Sequence, residues 1–175
     1  MRRPQATVIG DSDCPPAILE LAASIGELLA RLGVTVITGG RGGVMEAANR
    51  GAVRAGGISI GILPSSQLSD ANTGCEVVIP TGLGHARNAI TALAGDFVIV
   101  IGGGAGTLSE IAFAWIHARP IMTLTGSGGW ADAIAQRPPD LRASSTITPC
   151  ADLAALEAAI RLVCAERGLP LRSPG

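Results

Sequence analysis

The chain has 175 residues and a formal net charge of -1, and 47% hydrophobic against 15% charged residues suits one globular domain with a continuous core rather than a disordered or fibrous chain. That charge balance, with an aromatic content of 2%, leaves neither a basic face for nucleic acid nor a set of stacking platforms. All 13 Lys+Arg positions are arginine, so the lysine amine that holds pyridoxal phosphate and the lysine of a Walker A loop are both missing.

In chain order, the opening MRRPQATVIG has too short an apolar run for a signal-peptide core or a membrane span, so a cytoplasmic protein without membrane contact is expected. Short β-branched runs then alternate with longer helical patterns, the signature of βαβ units. Strands are expected at about 7–9, 34–38, 59–63, 76–79, 97–101, 121–124 and 146–148. Most are apolar throughout, which calls for helices on both faces. The expected fold is therefore α/β: a Rossmann-like doubly wound sheet of about seven mainly parallel strands, in a single domain spanning 1–175.

The first helix is expected over 16–32, with Ile18, Leu19, Leu21, Ala22, Ile25, Leu28, Leu29 and Leu32 on its packed stripe and Gly33 ending it. Further helices are expected after Gly43, within GLGHARNAI, within GGGAGTLSE, and from about Leu153 to Arg167. The stretch PSSQLSDANTGC reads as a polar surface loop, and 169–175 as a flexible tail. Cys14, Cys75, Cys150 and Cys164 show no CxxC pair and no histidine at ligand spacing, so free buried thiols and no metal site are expected.

Glycines gather where function collects in such folds, at the carboxyl ends of strands leading into helices. VTVIT is followed by GGRGGVMEAANRGA and FVIVI by GGGAGTLSE. Glycine lets backbone N–H groups approach an anion, and a helix N-terminus favours negative charge, so the two loops suggest one phosphate site. Neither loop spells GxGxxG, and the first strand runs into VIGDSDCPP, which argues against NAD or another dinucleotide. Between the loops, His85 and Arg87 stand at a helix start; arginine suits bidentate capture of a phosphate, whereas a lone histidine there often serves only as a hydrogen-bonding partner. Glu110 has two readings: TLSE fits a capping box in which Thr107 caps the helix, or the carboxylate faces a ligand.

GGRGGVMEAANRGA, GHARNAI and GGGAGTLSE, in this order, resemble the three motifs of the LOG-like Rossmann superfamily, once labelled lysine decarboxylases. In its LOG branch the resemblance implies hydrolysis of nucleoside 5′-monophosphates to free base and ribose 5-phosphate, with Arg87 and Glu110 catalytic. It places the family glycines and threonine on Gly103, Gly104, Gly106 and Thr107. Gly102 stands for the family proline, Asn88 for a lysine and Ile111 for an acidic residue, and these departures look closer to the molybdenum-cofactor carrier branch. There the resemblance implies a carried molybdenum cofactor, a phosphorylated small molecule, with no other tightly bound cofactor and a homodimer or homotetramer. Under either branch Arg87, Gly39, Gly40, Gly42, Gly43, Gly103, Gly104, Gly106 and Thr107 are the expected binding residues, with Asp11, Ser12 and His85 at the rim. A third reading is a non-catalytic structural or interaction subunit, for which Trp115 and Trp130 would be core or interface anchors.

Overall fold

The computed structural model describes residues 2–140 and 145–172. Seven strands form one parallel sheet: β1 (Gln5–Gly10), β2 (Thr35–Thr38), β3 (Ser59–Leu63), β4 (Val77–Pro80), β5 (Phe97–Ile101), β6 (Ile121–Leu124) and β7 (Ile147–Cys150), in the order β4-β3-β2-β1-β5-β6-β7. Among the described residues five α-helices lie between strands, α1 (Pro16–Arg31), α2 (Val44–Arg54), α3 (Arg87–Ala94), α4 (Ala105–Ile116) and α5 (Gly129–Gln136), and α6 (Leu153–Glu166) follows β7.

Strand β5 shows why this sequence makes a central strand. Its five residues FVIVI are all buried. Phe97, Ile99 and Ile101 join the core beneath α1, α2 and α6, while Val98 and Val100 join the one beneath α4 and α5. Period-two alternation thus supplies both cores from one apolar run. Each such large side chain contributes about 1.5–3 kcal/mol when removed from water. Strand β4 differs: it lies on an edge and leaves Val77 and Ile79 exposed.

Several details depart from the expectations. Helix α5 was not foreseen. Residues 169–172 are docked: the Leu169 N–H donates to the Cys164 carbonyl and the Arg172 N–H to the Leu32 carbonyl, while Leu169 and Leu171 pack on the core. The expected tail at 173–175 lies outside the described residues. Cys150 and Cys164 are buried thiols, but Cys14 and Cys75 are only half-buried. Trp115 is a core residue whose indole N–H donates to Asp140 at 3.1 Å. The polar stretch after β3 holds a short 3-10 turn, Leu68–Asp70. No helix among the described residues is long and apolar enough to cross a membrane.

The topology fixes where a ligand can sit. From β1 the chain builds outward to β4, then returns through α3 to place β5 on the other side of β1. Loops after β1 and β5 consequently diverge and leave a crevice at the carboxyl edge of the sheet.

Candidate functional site

A cleft of about 600 Å³ occupies this crevice, with Asp11, Ser12, Arg41, Arg87, Thr107 and Glu110 among the residues lining it. Its floor comes from the loop after β5. Gly102 and Gly103 there have φ of 60° and 109°, a region that a side chain would strain. Their carbonyls accept hydrogen bonds from Ala131 and Trp130 at the start of α5, so this unforeseen helix pins the loop. Their N–H groups are also engaged: Gly102 donates to Ser127 Oγ at 2.8 Å and Gly103 to Asp11 Oδ2 at 2.7 Å.

The free donors lie one step further on. Helix α4 begins at Ala105 with Gly104 as its N-cap and no side-chain cap. Thr107 is therefore inside the first turn, and the capping box read from TLSE does not form. The N–H groups of Ala105, Gly106 and Thr107 belong to the helix start, where no intrahelical acceptor exists, and Gly104, Gly106 and Thr107 line the cleft. A Cβ on Gly106 would meet nothing within 4 Å, so this turn is open. An anion placed over it gains both the donors and the positive end of the helix.

Arg87 and Glu110 form the buried side of the cleft, each only 7% exposed. Arg87 Nη1 lies 3.6 Å from Glu110 Oε1 and donates to Thr91 Oγ1 at 3.2 Å. Its Nε is buried without a hydrogen-bond partner. Burial pushes the Glu110 carboxyl up from 4.5 to about 7, against the pull of Arg87. Burial likewise lowers Arg87 from its ordinary value; Glu110 opposes that shift and the nearby charge of Arg41 adds to it. Arginine nevertheless stays charged at neutral pH. Asn88 binds away from this pair, donating to Ser109 Oγ at 2.8 Å and tying α3 to α4.

The loop after β2 brings Arg41 to the cleft and makes room for Arg87. Gly39, Gly40, Gly42 and Gly43 do not line the cleft; of the GGRGG run only Arg41 does. The Gly40 N–H already donates to Thr38 Oγ1 at 3.0 Å. Gly43 packs on the β1–α1 loop, where a Cβ would lie 2.5 Å from the Ser12 carbonyl carbon. Gly39 makes room for Arg87: a Cβ there would stand 2.6 Å from Nη2 and 2.8 Å from Cζ of the guanidinium. We expect Gly39→Ala to displace the guanidinium and weaken anion binding about tenfold with under about 2 kcal/mol lost in stability. Parallel binding and thermal denaturation measurements check this; unchanged affinity would contradict the packing role.

Sequence reasoning missed Arg41, although a cation flanked by two glycine pairs was a usable signal. Asn72 holds it in place, with its Nδ2 donating to the Arg41 carbonyl at 2.8 Å and its own N–H donating to the Gly40 carbonyl. The structure thus gathers Asp11, Ser12, His85, Arg87, Gly104, Gly106, Thr107 and Glu110 in one cleft. Gly103 lies just beneath it.

The glycine-rich β5–α4 turn faces a buried arginine and glutamate, and a family model matches residues 3–151 of the chain. The chain belongs to the SLOG cluster4 family. This member is similar in structure to the molybdenum cofactor binding protein of Rippkaea orientalis, with 34% identity, 93% of this chain and 98% of that one covered, and a TM-score of 0.82. The molybdenum cofactor carrier protein of Chlamydomonas reinhardtii gives 33% identity, coverage of 94% and 99%, and a TM-score of 0.83. In sequence it is 34% identical over 116 residues to the cytokinin riboside 5′-monophosphate phosphoribohydrolase of Mycobacterium tuberculosis, covering 60% of this chain. That match spans 61% of the relative's own length. The chain is a LOG-like Rossmann protein by all these likenesses.

Proposed function

We propose that this protein binds a phosphate-terminated small molecule and acts as a molybdenum-cofactor carrier. The observation that carries the reading is the pairing of an uncapped first turn of α4 with Arg87, whose Nε is buried and unpartnered. Two arginines and a helix N-terminus fit the phosphate of a molybdopterin-type cargo. Among the described residues no group of three or more His, Cys, Asp or Glu could hold a metal ion. The proposed grip is on the organic anion, with His85 and Ser12 at the rim of the cleft.

The state of Glu110 favours binding over cleavage. Departure of a base from a sugar needs an ionised carboxylate beside the developing positive charge. Burial disfavours the ionised form of Glu110, and when ionised its charge is shared with Arg87 3.6 Å away. Loading the protein with molybdenum cofactor and measuring the metal retained after gel filtration tests the reading. Retention by the wild type and its loss in Arg87→Ala is expected; equal retention by both contradicts it.

The side-by-side placement of Arg87 and Glu110 supports a second reading, a nucleoside 5′-monophosphate phosphoribohydrolase. Incubation with a panel of purine and cytokinin nucleoside 5′-monophosphates separates the two. No free base is expected; release of base that stops in Glu110→Gln would install the hydrolase instead.

We also propose a homodimer or homotetramer. Ile90 on α3 and Ile116 on α4 are 42% and 55% exposed on helices whose inner faces already cover the sheet. Ile116→Glu should lower the solution mass measured by light scattering; an unchanged oligomer would place the contact elsewhere.

A further inference from the structure

We infer that Asp11 restricts the cleft to a single phosphate group, accepting ligands that end in a phosphomonoester and refusing a diphosphate laid across the strand ends. The inference rests on the anion site proposed above. In the sheet, β1 lies between β2 and β5, so any ligand reaching from one glycine loop to the other crosses the end of β1. Asp11 stands there. Its Oδ2 accepts the Gly103 N–H at 2.7 Å, and its Oδ1 would be 3.6 Å from a Cβ on Gly104. Both carboxylate oxygens thus occupy the hollow beside the second glycine loop.

The helix that follows offers no compensation. Helix α1 has Pro15 as its N-cap and Pro16 as its first residue, and proline carries no N–H. The N-cap and first position of the helix, where dinucleotide-binding folds present donors to a diphosphate, therefore carry none here, and the Ile18 N–H is taken by the Pro15 carbonyl. On the β5 side the backbone donors for a phosphate lie in the first turn of α4, and across β1 the uncapped start of α2 reaches the cleft at Met45. Beyond β1 the cleft offers Arg41, and a diphosphate reaching it from α4 passes directly over the Asp11 carboxylate. At such separations like charges repel strongly, the more so at the edge of a low-dielectric wall.

The test uses inorganic phosphate and pyrophosphate as probes, titrated at pH 8 and fixed ionic strength into the 15N-labelled protein, with the Gly106 and Thr107 amides as reporters. A site made only of arginines and helix donors binds the more highly charged pyrophosphate more tightly. For the wild type we expect the reverse, pyrophosphate weaker by about tenfold. Asp11→Asn keeps the acceptor for Gly103 and removes the charge; it should raise the affinity for both anions, pyrophosphate by more, so that pyrophosphate reaches at least the affinity of phosphate. Asp13→Asn makes the same change in net charge at an exposed position outside the cleft and should leave the ratio within about twofold. Adding Arg41→Ala to Asp11→Asn should cancel the gain. Pyrophosphate binding the wild type as tightly as phosphate, or an unchanged ratio in Asp11→Asn, overturns the inference while leaving the anion site standing. If neither probe perturbs Gly106 and Thr107, the anion site itself falls and the inference with it.

Discussion

Arg87→Ala is expected to abolish anion binding, with a loss of at least about a hundredfold in affinity, and to cost about 3 kcal/mol of folding stability. Both effects follow from one buried guanidinium. It is the side chain that donates to Thr91, faces Glu110 and keeps an unused Nε. Removing one member of a buried pair ordinarily costs about 3–5 kcal/mol, because the other is left charged without a partner. Here the lower end applies, since Glu110 can take up a proton. Without Arg87 its carboxyl should titrate above the value of about 7 that it has beside the guanidinium. An NMR titration of Glu110 in the variant measures this; a downward shift would mean that the pair is not coupled as described. Arg87→Lys should recover part of the stability but little of the affinity, because a single ammonium cannot serve Thr91, Glu110 and a ligand at once.

Glu110→Gln is expected to change how stability depends on pH. The folded protein holds the Glu110 carboxyl at about 7 against an ordinary 4.5. A group raised in this way contributes stability that is complete below pH 4.5 and is lost as pH rises through about 7. The wild type should therefore lose about 3 kcal/mol from this group between those limits. The glutamine amide of the variant resembles the protonated carboxyl at every pH. The variant should match the wild type near pH 4.5 and exceed it above pH 7, a difference that urea denaturation across this range would read. Equal slopes in the two proteins would show that Glu110 is not desolvated. Anion affinity should follow the same proton, declining in the wild type as Glu110 ionises and declining less in Glu110→Gln.

Much of this architecture is legible in the chain because each strand is a short β-branched run. FVIVI needs two apolar faces, and only a strand covered on both sides supplies them. Helix α5 escaped notice because its signal is brief. It covers eight residues, follows Gly126 and Gly128 and begins at Gly129, all three at positive φ, so its pattern is dominated by turn residues. The segment at 169–172 carries a proline and suggests a loose end, yet Leu169 and Leu171 find a place on the core that only the folded sheet creates.

The site was legible in part for similar reasons. Arg87, Glu110 and the turn at Gly104–Thr107 stood out because a glycine-rich strand-to-helix loop has few other uses. The roles within that loop were not legible. TLSE satisfies the capping-box pattern, but Gly104 already begins the helix, which turns Thr107 inward and frees Glu110 to face Arg87. The glycines after β2 looked like anion donors, whereas Gly39 exists to admit a guanidinium that arrives from α3. Such a role depends on a distant side chain and leaves no local mark in the sequence.

A crystal structure of the protein loaded with molybdenum cofactor tests the central claim most directly. The expected result is a phosphate over the first turn of α4, within hydrogen-bonding distance of the Gly106 and Thr107 N–H groups and of the Arg87 guanidinium. A cofactor whose phosphate lies against the β1–α1 loop, or outside this cleft altogether, would contradict it.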